Sequence, residues 1–169
     1  MKTLFQVLLI SFSLANYAFA GDFDTNILKL KATNNCVMCD LNAADFSGIN
    51  LTGANLSGAS FSKANLSGAD LRKANLSGVD FTVANLNGAN LSGADLSGAD
   101  LTLSKLKKAN LSGADLSGVV IRYANLSGAT LCNTITPWGV DNSGCKNYDA
   151  NSEDIKSNAL KLKALKHCD

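Results

Sequence analysis

The sequence predicts an all-β solenoid with a square cross-section. The first observation is a five-residue repeat, typified by Ala54–Gly58, that continues without insertion or deletion from Leu41 to Leu131. The second is that each unit contains one large and one small apolar residue: the central position is Leu in fifteen of nineteen units, and Ala stands two residues earlier in fourteen. The third is an interruption of the pattern every twenty residues. Units this short can bury their apolar side chains only by stacking on one another.

The period of five excludes both regular alternatives. Five residues advance an α-helix by about 140°, which would scatter the apolar positions around its circumference. A straight strand alternates its faces every two residues, so an odd period would place successive centres on opposite sides. Each unit must therefore contain a short extended piece and a corner. Gly two residues after the centre, in eleven of nineteen units, suits a corner with positive φ, and Asn or Asp before the centre suits turns and stacked side chains.

The interruptions indicate how many units make one coil. At intervals of twenty residues the Gly position is occupied instead by Ala43, Lys63, Val83, Leu103 and Tyr123. Twenty residues are four units, so one coil contains four units and one face differs from the other three. We expect Val83, Leu103 and Tyr123 to form an exposed apolar column on that face. Such a column is typical of an interaction site or of a surface that covers another part of the same chain.

These units closely resemble the pentapeptide-repeat family, over about ninety-five of the 169 residues. The resemblance implies a right-handed quadrilateral β-helix of about five coils, with the central and small residues inside. Some members of the family resemble duplex DNA in shape and negative charge, and protect or inhibit DNA gyrase. Without Lys2, however, this chain has fourteen basic and fourteen acidic residues. A charge near zero argues against DNA mimicry and against a nucleic-acid partner.

Residues 1–20 have the pattern of a secretory signal peptide. Lys2 supplies the positive end, Leu4–Leu14 the apolar region, and Ala18–Ala20 a small-x-small cleavage site. A membrane anchor is the alternative, but the segment is short and contains Gln6 and Asn16. We therefore expect an exported protein, periplasmic or secreted, without a membrane anchor in its mature form.

Residues 21–38 are expected to cap the first coil, with Asn26–Lys31 forming one or two helical turns. Cys36 and Cys39 follow at CxxC spacing. Redox chemistry or a metal site is possible at this spacing, but a zinc site lacks a second pair of ligands. Two buried sulfurs or one local disulfide is the favoured interpretation.

After the repeats, residues 39–133, the sequence predicts a loop at residues 134–150 and a helix at residues 151–169. In an exported protein Cys132 and Cys145 are candidates for a disulfide that holds the loop on the last coil, which leaves Cys168 without an obvious partner. The helix has one apolar stripe, made of Ile155, Ala159, Leu162 and Leu165. It could cover the open end of the solenoid or lie along the apolar column, and the end is the simpler expectation.

No catalytic, cofactor or metal constellation stands out in the sequence. The single histidine, His167, excludes clustered-histidine metal sites and disfavours a histidine-based triad. The sequence thus predicts a non-enzymatic scaffold that binds another protein, or a second copy of itself, through the apolar column or a solenoid end. A passive structural protein of the cell envelope is the alternative, and a gyrase-binding DNA mimic is the least favoured reading.

Overall fold

The computed structural model of the protein describes residues 23–145, and the chain in this range forms a β-helix. Parallel β-bridges join each residue that precedes a unit's centre to the residue twenty positions later, from Asn35↔Asn55 to Asp115↔Ile135. The chain therefore returns to the same side after four units. Between residues 35 and 135 this pairing makes about five stacked coils.

Each unit turns a corner in the same way. In the unit around Phe81 the Ala84 backbone N–H donates to the Phe81 carbonyl oxygen at 3.0 Å, which closes a four-residue turn. The third residue of this turn has positive φ in every unit from Ala43 to Asn133. Type II turns require positive φ at that position and favour Gly there. This explains why Gly is the commonest residue two positions after the centre.

Asn and Asp before the centre support the same turn. Their Oδ1 atom accepts a hydrogen bond from the backbone N–H two residues later, as in Asp80 to Thr82 at 2.8 Å and Asp100 to Thr102 at 2.8 Å. Asparagine side chains also bond between coils, with Asn85 Nδ2 donating to Asn65 Oδ1 at 3.0 Å. The short polar side chains thus fix both the corner and the stacking of one coil on the next.

The core is a column of central Leu and Phe side chains lined by Ala. Leu91, near the middle, has no exposed surface, and the same holds for Ala89 two residues before it. Phe61 and Phe81 stack with ring centroids 5.5 Å apart and an interplanar angle of 25°. Full burial of each such side chain contributes roughly 1.5–3 kcal/mol, so the column is the main source of stability.

A helix, α1 (Phe23–Thr33), precedes the first coil. Its Leu30 is buried in the core, and Asn26 Nδ2 donates to the Asp40 carbonyl oxygen at 3.2 Å. The helix ends because Asn34 adopts positive φ and its N–H donates to the Leu30 carbonyl oxygen at 2.9 Å. The helix is longer than the one or two turns expected from the sequence, because apolar periodicity reveals only the part that packs on the coil.

A two-stranded antiparallel hairpin, β1 (Thr134–Thr136) and β2 (Gly139–Asp141), follows the last coil. The sequence predicts a loop here, but Ile135 continues the pairing of the coils and its N–H donates to the Ala114 carbonyl oxygen at 2.9 Å. The expected signal peptide and C-terminal helix lie outside the described residues. Within residues 23–145 no helix is long and apolar enough to cross a membrane.

Leu91→Asp should abolish cooperative unfolding, because it places a carboxylate without a partner in the middle of the buried column. Thermal unfolding followed by circular dichroism measures this. Ser92→Asp is the matched control, since Ser92 lies outside the buried column, and its midpoint should stay near that of the parent. Similar melting curves for Leu91→Asp and the parent would contradict the inward register of the central residues.

Candidate protein-binding face

Val83, Leu103 and Tyr123 form the feature that we name the apolar ladder. Their exposed fractions are 45%, 53% and 55%. They stack on consecutive coils, because the Val83 N–H donates to the Thr102 carbonyl oxygen at 2.9 Å and the Leu103 N–H donates to the Arg122 carbonyl oxygen at 2.8 Å. With coils about 4.8 Å apart, the ladder presents three apolar side chains over roughly 10 Å.

The ladder is held in backbone conformations that its residues disfavour. Val83, Leu103 and Tyr123 have φ of 62°, 59° and 57°. The left-handed conformation raises the energy of a residue with a Cβ atom by roughly 1–2 kcal/mol. A β-branched residue is a clear outlier there. Gly would avoid that strain, which burial of about half of each side chain offsets only in part. Backbone strain of this kind is concentrated at functional surfaces.

Charged residues of both signs border the ladder, with Lys63 one coil below Val83 and Arg122 next to Tyr123. Asp80 and Asp100 each lie three residues before a ladder residue, and they are partly exposed. Within the described residues one ion pair is found, between Arg72 and Asp70 at 2.6 Å, and it lies on a different face. The hydrogen bonds that Arg72 donates lower the pKa of Asp70 to about 2. Because this exposed pair lies on a different face, it does not hold the ladder face together.

An open groove continues the ladder at the C-terminal end of the solenoid. It has a volume of about 480 Å³ and is lined by Val119–Tyr123 of the last coil and by Pro137 and Trp138 of the hairpin turn. We name it the end groove. Tyr123 belongs to both features, so the ladder and the groove form one continuous apolar surface.

The groove residues Val120, Pro137 and Trp138 were not predicted from the sequence. One signal was available: among the nineteen units, Val120 is the only apolar residue at the position before the centre. It creates the run Val119–Ile121, in which three consecutive apolar residues cannot all point inward. The part played by Pro137 and Trp138 depends on how the hairpin folds back, which the repeat pattern does not encode.

The candidate cysteines lie at the two ends of the coil stack. The structure joins Cys36 to Cys39, and Cys132 to Cys145. Both Cys36 and Cys39 are buried, at 0% and 5% exposure, so solvent has little access to these sulfurs. Within residues 23–145 no group of three or more His, Cys, Asp or Glu side chains is placed to hold a metal ion.

The repeats match a known protein family. The family model for pentapeptide repeats matches eight copies, over residues 39–78, 64–102 and 99–135. The chain belongs to the pentapeptide-repeat family. No curated protein sequence matches it significantly. The fold of this pentapeptide-repeat protein is accordingly the quadrilateral β-helix of the family.

Solved structures of the same family resemble the chain. A pentapeptide repeat protein from the thylakoid lumen of Arabidopsis thaliana is 29% identical with a TM-score of 0.57, over 74% of this chain and 90% of that one. HetL of Nostoc, involved in heterocyst differentiation regulation, is 38% identical with a TM-score of 0.46, over 62% and 50%. QnrB1, a plasmid-mediated fluoroquinolone resistance protein, is 20% identical with a TM-score of 0.31, over 75% and 88%. The TM-scores of HetL and QnrB1 are both below 0.5, so these two structures support no functional comparison.

Glycine exchanges should separate the strain of the ladder from its contribution to stability. Val83→Gly relieves the left-handed strain but loosens the unfolded chain, so the free energy of unfolding should change by less than about 1 kcal/mol. Gly68→Ala, the control, introduces strain at φ 66° without any contact within 4 Å of the new Cβ atom. It should destabilise by about 1 kcal/mol or more. Urea unfolding measures both, and a loss of about 2 kcal/mol in Val83→Gly would make Val83 a packing residue instead.

Proposed function

We propose that this pentapeptide-repeat protein is an exported, non-enzymatic scaffold. Through the apolar ladder it binds either another protein or a second copy of itself. The carrying observation is that Val83, Leu103 and Tyr123 are exposed in register at backbone positions that favour Gly. Most other units have Gly, the residue without backbone strain, at those positions. Selection for an apolar surface accounts for the strain.

The shape and charge of the face indicate what kind of partner it suits. The ladder is a narrow row of three apolar side chains on consecutive coils, so it matches an extended apolar strip on a protein surface. Asp80 and Asp100 along its side, with Lys63 and Arg122 at its two ends, favour a strip whose edge carries charges of both signs. The balance of basic and acidic residues in the chain gives no attraction for nucleic acid.

Export is the second part of the proposal. It is supported by the signal-peptide pattern of residues 1–20, by the similarity to a protein of the thylakoid lumen, and by two pairs of cysteines at disulfide distance. Disulfides persist in oxidising compartments and are rare in the cytosol. We therefore propose that both disulfides form in the exported protein and that the mature chain begins at Gly21.

Mass spectrometry of the exported protein tests this part. The mature chain should start at Gly21, and peptides digested without reduction should link Cys36 to Cys39 and Cys132 to Cys145. Cys168 should react with a thiol reagent, which distinguishes the proposed pairing from one that uses it. A protein that still begins at Met1 and has five cysteines that react with the thiol reagent would contradict export.

The alternatives make different use of the same surface. A passive structural protein of the envelope needs no dedicated partner, and its ladder would be tolerated rather than selected. A gyrase-binding DNA mimic needs a strongly acidic surface, whereas the repeats contain seven acidic and seven basic residues. The strain in the ladder favours the protein-binding scaffold over both.

A crosslinking pull-down from the exported fraction tests the ladder directly. The triple variant Val83→Glu, Leu103→Glu, Tyr123→Glu places three charges on the ladder and should lose a partner that the parent captures. The matched control is Ser57→Glu, Ser77→Glu, Ser97→Glu, which adds the same charges at the same vertical spacing on another face and should retain it. Sedimentation of the same three proteins identifies a partner that is a second copy.

Two results would count against the ladder. Equal capture by the parent and both triple variants would place binding elsewhere on the molecule. Failure of the parent to capture any protein or to self-associate would favour the passive structural role. A change in the circular dichroism of the ladder variant would mean that its fold is disturbed, and single substitutions would then replace it. Leu103→Glu comes first, because Leu103 is more exposed than Val83.

A further inference from the structure

The last coil presents an apolar surface that no described residue covers. Val120 is 42% exposed and Ile121 is only partly buried, whereas Leu101, at the same position one coil earlier, is 1% exposed. At the other end, Leu30 of α1 covers the first coil and is itself buried. Solenoid ends expose core residues and unpaired backbone unless something covers them. The end groove is therefore a place where an apolar occupant would be stabilising.

Two polar groups indicate the chemistry of that occupant. The Trp138 indole Nε1–H is buried and has no acceptor among the described residues, although buried indole N–H groups usually have one. Arg122 lines the same groove, is exposed, and makes no ion pair with a described carboxylate. An occupant that fits would combine apolar side chains, a hydrogen-bond acceptor and a carboxylate.

The C-terminal segment, residues 151–169, has this combination in its sequence. It lies outside the described residues, and its sequence predicts a helix with acidic residues in the first turn. Its apolar positions recur at helical spacing, at Ile155, Ala159, Leu162 and Leu165. Glu153 and Asp154 stand immediately before Ile155, so an apolar side chain entering the groove would bring a carboxylate close to Arg122.

The segment can reach the groove from where the described chain ends. Cys145 is attached to the last coil through Cys132, and the neighbouring Gly144 N–H donates to the Leu131 carbonyl oxygen at 2.7 Å. The ten Cα–Cα steps from Cys145 to Ile155 span up to about 33 Å when extended, and no two points on a twenty-residue coil can be farther apart than about 33 Å, which is half of its stretched perimeter. The corners of the coil shorten that distance well below this bound. A tether this short gives an effective concentration in the millimolar range, which favours the chain's own segment over that of a second copy.

We infer that residues 151–169 dock in the end groove of their own chain. Ile155 and Leu162 pack on the groove floor at Val120, Ile121 and Trp138, and Glu153 or Asp154 pairs with Arg122. The segment then covers the open coil in the same sense as α1 covers the first, and Val83 and Leu103 stay accessible. The inference does not require that the apolar ladder bind a partner.

Trp138 is the only tryptophan of the chain and therefore reports on the groove without a label. The experiment measures acrylamide quenching of its fluorescence in the full mature protein at low concentration. In the variant Leu162→Asp, Leu165→Asp the quenching constant should rise severalfold and the emission maximum should shift to the red. The control Ser157→Asp, Ala164→Asp adds the same two carboxylates on the opposite side of the predicted helix and should match the parent.

A charge exchange provides a second test that does not disturb the apolar contacts. Arg122→Glu should increase quenching of Trp138, and combining it with Glu153→Lys and Asp154→Lys should restore the protection. Recovery in the combined variant would support the pairing, because a general loss of structure would not be reversed by two distant substitutions. Failure of the combined variant to recover would overturn the pairing.

Three results would overturn the docking itself. One is equal quenching in the parent and in Leu162→Asp, Leu165→Asp while circular dichroism shows that both are folded. Another is protection of Trp138 that is lost on dilution, in parallel with the loss of a dimer seen by sedimentation. The segment would then occupy the groove of a second copy. The third is protection that is lost when a copurified small molecule, detected by native mass spectrometry, is removed. None of these measurements includes a partner protein, so they are independent of the test of the apolar ladder.

Discussion

The structure depends on one backbone requirement, which is that every fifth residue adopts positive φ. The turn that begins at each central residue closes only if its third residue is left-handed, and all nineteen units satisfy this condition. With it, a five-residue unit always presents its central and small residues to the inside. Without it, the odd period would direct successive centres to opposite sides, and the buried column of Leu, Phe and Ala could not form. Burial of the column and pairing of the coils are consequences of the turn.

The same requirement makes one class of surface residue informative. At the third turn position Gly is the least strained choice, so a residue with a side chain there is retained at a cost in backbone strain. For Lys63, Lys73 and Lys108 the long polar side chains confer solubility, which is a sufficient reason. For Val83, Leu103 and Tyr123 exposure works against solubility as well as against backbone preference. The ladder is therefore disfavoured on two independent grounds, and a role in binding accounts for both.

Most of the coil could be predicted from the sequence because it is fixed by local rules. The repeat positions determine which residues point inward, and the substitutions at Ala43, Lys63, Val83, Leu103 and Tyr123 determine that they share a face. The hairpin at Thr134–Asp141 could not be predicted in this way, because its second strand, Gly139–Asp141, folds back on Thr134–Thr136 after the repeat has ended. The groove was missed for the same reason, since Trp138 reaches it only through that hairpin. Long-range contacts outside the repeat have no periodic signal in the sequence.

The two ends of the solenoid illustrate how such contacts complete a repetitive fold. Every inner coil is covered on both sides by copies of itself, so a single type of unit is sufficient there. The end coils have one neighbour each and need a different sequence to cover the exposed side. At the first coil Leu30 and Asn26 of α1 supply apolar cover and a hydrogen bond to the backbone. At the last coil the run Val119–Ile121 replaces the usual polar residue before the centre with Val, which widens the apolar surface left open by the described residues. A coil facing water would be expected to keep the polar residue, so the substitution supports the proposal that the last coil, like the first, packs against another segment.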